Sequence, residues 1–369
     1  MMRINNTNGA EYAPLGIYVH IPFCIRKCKY CDFVSYAGKT CDEQKEYVNK
    51  ICEEIKKQGI KLSEKYLVDT VFFGGGTPTI LDAEDLAKIL NTIKSNFNCH
   101  LVEISFEANP GTIDRTKLTK LKEAGFNRIS IGVQSFDDSI LDTLGRIHDS
   151  KAAEAAVNMA LELGFNTNLD LMFGVPGQTL DIWKYTLQKA IELNPNHISF
   201  YSLQLEEGTP LYESYRFGDL ELPTWEENRA MYQLALDMLK SAGYVHYEIS
   251  NATKPGYQCK HNLKYWSMDE YLGIGEAAHS YIDGHRIGSG ADDVDPKGDF
   301  IFTKLRLIDG FEKIEYQKRF GISFEDEFSA SYQKLLDDNL LEEKNGHIRF
   351  TRKGLDYTNP VMQVLLEKL

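Results

Sequence analysis

Three thiols fall within eight residues near the start of the chain, at Cys24, Cys28 and Cys31. Thiolates so close together are a soft donor set that suits an iron-sulfur cluster, zinc or copper(I), and they are too crowded for ordinary core packing. The missing fourth thiol is informative. An iron cluster on three cysteines leaves one iron open to a ligand that is not protein, and that ligand has to be small, chelating and redox-reactive. Zinc would instead need a closed set, with His20 completing a Cys3His site. His20 belongs to an apolar strand pattern and would have to face the loop to do so.

The elements that must position such a site follow one after another. The apolar run Leu15 to Ile21 predicts a buried strand that delivers the cysteine loop. Val68 to Phe73 predicts a second strand, ending in Gly74-Gly75-Gly76-Thr77-Pro78, where glycines let backbone approach a ligand. Further strands are predicted at Leu101–Ala108, Arg128–Val133, Thr167–Met172 and His197–Leu205. Helical patterns at 42–57, 82–96, 114–124, 150–163 and 179–192 separate them. Glu107, Gln134, Arg146 and Asp170 fall at or just beyond the ends of successive strands, where an α/β protein places its chemistry. S-adenosylmethionine, which chelates through its amino and carboxylate groups, meets the demands of the open iron.

Six βα units predict an α/β fold, an open partial (β/α)6 TIM-like barrel, and not a closed eightfold one. A helix signal at Thr224-Trp-Glu-Glu227 and a hairpin signal at Lys344-Asn-Gly346 follow. They suggest a small C-terminal winged-helix-like α+β module. The expected divisions are a loose tail at 1–14, a barrel core at 15–205, a barrel extension at 206–300, and the C-terminal module at 301–369. Residues 251–290, rich in Gly, His and aromatics, carry no clear period and are expected to be a functional loop region.

Fifty-four acidic against 41 basic side chains give a net charge of −13, which repels phosphate backbones and argues against a nucleic-acid partner. No apolar run reaches the roughly 18 residues of a membrane span. Cys41, Cys52, Cys99 and Cys259 are scattered without a disulfide framework, and a reducing, cytoplasmic setting is expected.

Cys-x3-Cys-x2-Cys followed by Gly-Gly-Gly-Thr-Pro resembles the radical S-adenosylmethionine (SAM) superfamily. The surroundings, from about Leu15 to the C-terminus, resemble its oxygen-independent coproporphyrinogen oxidase branch. The resemblance implies a 4Fe-4S cluster on Cys24, Cys28 and Cys31, whose electron cleaves SAM to a 5'-deoxyadenosyl radical. It also implies Tyr18, Gly75, Gly76, Thr77, Glu107, Gln134, Arg146 and Asp170 as SAM contacts. Two departures narrow the branch. The oxidases have a fourth cysteine where this chain has Phe33, and His261-Asn262-Leu-Lys-Tyr265-Trp266 is similar to the His-Asn-x-x-Tyr-Trp signature of HemW-type heme chaperones. That resemblance implies a scaffold that binds heme and hands it to acceptor proteins without oxidase turnover. His261 then offers an imidazole to iron, Tyr265 and Trp266 offer flat faces to a porphyrin, and Asn262 completes the motif, which makes the extension at 206–300 the candidate heme-binding region. Cys259 and His279 compete as iron ligands. The alternative function is oxygen-independent coproporphyrinogen III dehydrogenation.

Members of that family usually carry a longer segment than Asp283 to Lys304, so a helix absent there would alter the mouth of the site. Arg26, Lys27 and Lys29, basic on an acidic protein, are expected to steer a flavodoxin-like or other low-potential electron donor. A second copy of the chain is a further candidate partner.

Overall fold

The computed structural model describes residues 4–5, 11–288 and 295–367. All six expected strands form and lie side by side in chain order: β1 (Glu11–Ile21), β2 (Tyr66–Gly75), β3 (Asn98–Ala108), β4 (Arg128–Gln134), β5 (Asn166–Phe173) and β6 (His197–Ser202). Every neighbouring pair is parallel, connected through helices including α1 (Cys41–Leu62), α2 (Ala83–Asn96), α3 (Arg115–Ala124), α4 (Ser150–Glu162) and α5 (Leu180–Leu193). A seventh parallel strand, β7 (Tyr271–Ile274), pairs with the free side of β1. Antiparallel hairpins flank the parallel set at both ends, at Val245–Glu248 with Asn251–Thr253 and at Ser280–Ile282 with His285–Ile287. The sheet therefore stays an open partial barrel.

Alternation along the strands sorts side chains between two environments. Leu15, Ile17, Val19, Val71, Phe73, Ile104, Phe106, Ile129, Ile131, Leu169 and Leu171 are buried in one hydrophobic cluster beneath the helices. The residues between them turn into the barrel and are largely polar. Asn168 donates to Ser130 Oγ at 2.7 Å and to Ser199 Oγ at 2.9 Å. His197 Nδ1 meets Asn168 Oδ1 at 2.5 Å, and Ser130 donates to Asp170 at 2.9 Å.

The reading of 1–14 as a loose tail is corrected at its inner end. Glu11 to Pro14 belong to β1, because its partner β2 begins early enough to pair Ala13 with Tyr66, and Ile4–Asn5 pairs antiparallel with residues 11 and 12. The stretch 251–288 is not a loop either. It holds three short strands, β7 and a helix at Lys260–Ser267, elements of three to eight residues that are too brief to show a period. Residues 289–290, the end of that expected loop region, lie outside the described residues. The segment Asp283 to Lys304 ends in a helix at Pro296–Lys304, and its 289–294 stretch likewise lies outside the described residues.

α6 (Trp225–Ser241) opens with the expected capping box, Thr224 and Glu227 bonding reciprocally. The last part packs helices Lys313–Phe320, Phe324–Asp337 and Thr358–Leu366 against a three-stranded sheet. Its hairpin, Leu341–Lys344 with His347–Phe350, turns at the expected Asn345-Gly346, and Phe300, Phe311, Tyr316, Phe324 and Phe328 fill its interior.

Candidate cluster and cofactor site

Cys24, Cys28 and Cys31 line one cavity of about 400 Å³ at the carboxyl ends of the parallel strands. Gly75, Gly76, Thr77, Glu107, Gln134, Arg146 and Asp170 line the same cavity, so residues spread over almost 150 positions are brought together. Tyr18 is the exception. Its hydroxyl donates to His20 Nδ1 at 3.1 Å, and its ring lies behind Gly74, beneath the glycine turn and not on the cavity wall.

The glycine turn is fastened to the thiol loop. Gly76 N donates to Ile21 O at 2.9 Å and Thr77 N to Phe23 O at 2.7 Å, while Gly75 N donates to Glu107 Oε2 at 3.2 Å. A Cβ on Gly76 would lie 2.7 Å from Phe23 O, and Gly75 holds φ at +111°, so side chains are excluded by the closeness of the two backbones. The donors of the turn are thus spent inside the protein, leaving carbonyls and the Thr77 hydroxyl, which sits 3.7 Å from Cys24 Sγ.

His20 is not free for zinc. Its Nε2 donates to Val34 O at 3.0 Å, its Nδ1 accepts from Tyr18, and burial lowers its pKa. With both ring nitrogens engaged, the Cys3His alternative loses its fourth ligand.

The remaining lining brings carboxyl groups and a guanidinium into the same cavity. Glu107 is pushed up to about 8 by burial first and by the neighbouring Asp170 second, and burial also raises Asp170. In the same lining, Arg146 donates to Gly132 O at 2.7 Å and to Cys28 Sγ at 3.3 Å, while its buried Nε has no partner among the described residues. Gln134, with φ at +65°, accepts from Tyr201 at 3.1 Å. Carboxyl groups that would ionise against a bound cation and a guanidinium in one small cavity suit a zwitterion carrying a cationic centre and a carboxylate. Tyr201 and Ser130 were not singled out in the sequence. The signal for both was alternation, since each is the inward neighbour of an outward apolar residue.

The radical SAM superfamily is matched over residues 18–190 and the HemN C-terminal domain over residues 299–357. The "Heme chaperone HemW" of Bacillus subtilis (strain 168) is 35% identical over 95% of this chain and 99% of its own length. The chain belongs to the HemW heme chaperone family. HemW of Escherichia coli (strain K12) is 33% identical over 96% of this chain and 98% of its own. Coproporphyrinogen III oxidase, HemN, of Escherichia coli shares the fold with a TM-score of 0.80 at 23% identity, covering 97% of this chain and 91% of that one.

Membership of the radical SAM superfamily implies a 4Fe-4S cluster and SAM for a HemW-family chain. The residues present fit both, since three thiols share a cavity with carboxyl groups and a guanidinium. No helix among the described residues is long and apolar enough to cross a membrane.

The second HemW-family motif is built into the barrel, away from that cavity. His261 is fully buried, its Nδ1 2.9 Å from Thr70 Oγ1 and its Nε2 2.9 Å from Tyr265 Oη. Burial lowers its pKa to about 3. Both nitrogens of the ring are engaged inside the protein, so binding iron through His261 would require one of these hydrogen bonds to be given up. Cys259 is equally buried, its thiol pushed up to about 12 by burial. The Glu103 carboxylate accepts from Lys260 N at 2.9 Å and His261 N at 3.0 Å, capping the Lys260–Ser267 helix from β3. Asn262 is half-buried on that helix, and Tyr265 and Trp266 reach a neighbouring hollow lined also by Tyr271 and Phe302.

A His261→Ala protein should lose roughly 2–4 kcal/mol of stability in urea denaturation, from the space left and the two stranded hydroxyls. An unchanged midpoint would contradict this placement.

Two of the three loop cations also have local work. Arg26 donates to Gly145 O at 2.9 Å and Arg146 O at 2.8 Å, and Lys29 Nζ donates to Asp142 O at 3.0 Å. All three are exposed and keep their charge, so charge reversal at Arg26, Lys27 and Lys29 together should slow cluster reduction at low salt, and an unchanged rate would remove the steering role.

Proposed function

We propose that this chain is a heme chaperone on a radical SAM scaffold. It would hold a 4Fe-4S cluster on Cys24, Cys28 and Cys31, bind SAM in the adjoining cavity, and pass heme to acceptor proteins. What carries the heme reading is the end-to-end likeness to proteins named heme chaperones, joined to Phe33 at the position where the oxidases have a fourth cysteine. Phe33 lines the cluster cavity with 62% of its surface exposed.

The carboxyl groups and the guanidinium support the SAM assignment. Glu107, Asp170 and the carbonyl edge of the glycine turn would meet the amino group and the sulfonium. Arg146 would meet the carboxylate through its guanidinium. When bound, cluster and cofactor would supply one-electron chemistry. The protein's own part is to hold the thiol loop, exclude bulk water and fix the charges that orient the ligand. A low-potential, flavodoxin-like donor would reach the cluster from the side of Arg26, Lys27 and Lys29.

The test compares two activities of one anaerobically reconstituted preparation. Heme should move from the loaded chain to an apo-hemoprotein, read by the acceptor's spectrum, while coproporphyrinogen III with SAM and a reductant gives no product. Repeated turnover of coproporphyrinogen without heme transfer would replace the chaperone by the oxidase.

A further inference from the structure

A second cavity, of about 810 Å³, opens between the mouth of the barrel and the C-terminal module, within the range of roughly 300–1,000 Å³ usual for cofactor sites. Tyr201, Ser202 and Gln204 line both this space and the cluster cavity, so a single layer of side chains separates the two. Its walls are aromatic, with Trp225 and Tyr357 side by side, ring centroids 5.3 Å apart, and with Tyr232 and Phe302.

Two guanidinium groups line it, and they differ in their partners. Arg229 is spoken for, bonding Asn228 and lying 4.0 Å from Asp356. Arg306 is not. Its Nε is buried with no hydrogen-bond partner among the described residues, and its guanidinium carbon lies 4.5 Å from the Phe302 ring centroid and 5.1 Å from that of Trp266. Glu248, the nearby carboxylate, is used by Ser250 N and the Asn251 amide. A guanidinium flanked by two rings and left without an anion, facing a flat-walled cavity, is ready for a carboxylate carried on an aromatic plate.

We propose that heme is held in this second cavity, its ring against the Trp225 and Tyr357 side and a propionate on Arg306. This rests on the heme reading above and relocates the ligand from the His261 motif. Trp266 then matters as a positioning residue, because it is one of the two rings that hold Arg306. The lining contains no histidine, cysteine or methionine among the described residues, so what the cavity offers a porphyrin is aromatic walls and a guanidinium.

Full-length protein titrated with hemin and with hemin dimethyl ester tests the assignment. Arg306→Gln should weaken hemin about ten- to hundredfold, the range for losing a charge-assisted hydrogen bond, and leave the ester's affinity unchanged. Trp225→Ala should weaken both ligands, and His261→Gln neither. Equal hemin affinity in wild type and Arg306→Gln, with Trp225→Ala also unaffected, would overturn the site and leave the heme reading standing. Failure of wild type to bind hemin would remove the heme reading itself. A fold defect in Arg306→Gln would show as loss of ester binding as well, and the Trp225→Ala result would then decide.

Discussion

Cys28→Ala protein, reconstituted anaerobically with iron and sulfide, is expected to hold no normal cluster and still to fold. Two thiols cannot close a cubane, and Arg146, which donates to Cys28 Sγ, is no substitute donor because it has no lone pair to give. Folding survives because the loop is fastened independently of metal. Lys29 N donates to Leu144 O at 3.0 Å, Leu211 N to Lys29 O at 2.8 Å, and Arg26 reaches two carbonyls. Iron and acid-labile sulfide per chain measure the first expectation. Thermal unfolding measures the second, with a change under about 1 kcal/mol for so local a truncation. Full iron content in the variant would remove Cys28 from the ligand set.

Glu107→Gln should separate stability from binding. An unfolded glutamate titrates near 4.5 and Glu107 at about 8. Between those values the unfolded chain is ionised while the folded one keeps its proton. The folded state therefore binds more protons, and ligand-free protein loses stability as pH rises through that window, fully so above about 8. The loss is on the order of a few kcal/mol. Glutamine has no proton to lose, so the variant should unfold at higher temperature than wild type near pH 8 and show no advantage below about pH 4.5. Its SAM affinity should fall by about tenfold or more, since the carboxyl able to ionise against the bound cation is gone. Calorimetry at several pH values, with and without SAM, reads both. Parallel pH profiles for the two proteins would show that Glu107 is already ionised in the cavity.

The order of the strands was legible because each apolar run is long enough to show itself and is followed by a helical pattern. The cluster thiols were legible for a chemical reason: three of them in eight residues have few other uses. What escaped was the inward face. Glu103, Arg128, Ser130, Asn168, His197 and Ser199 occupy alternate positions within runs read simply as apolar, and their alternation marks a polar interior. β7 escaped because four residues beside a glycine-rich stretch carry no period, and its partner β1 lies at the other end of the chain. His261 was ambiguous for a different reason. Its spacing from Tyr265 puts the pair one helical turn apart, which serves an internal hydrogen bond as well as it serves a ligand.

The pairing of β7 with β1 also sets a schedule. About 250 residues separate Ile21, just before the thiols, from Tyr271, and a ribosome needs roughly ten to fifty seconds to cover them. Throughout that interval one side of β1 is an unpaired edge, open to the wrong strand. Tyr36 also lacks the Glu276 carboxylate to which its hydroxyl donates at 2.5 Å, and Tyr47 lacks the Glu276 N–H it receives at 3.2 Å. The three thiols are thus synthesised first and enclosed last, and metal loading of the nascent chain before residue 276 emerges would have to rely on a loop whose final fastening does not yet exist.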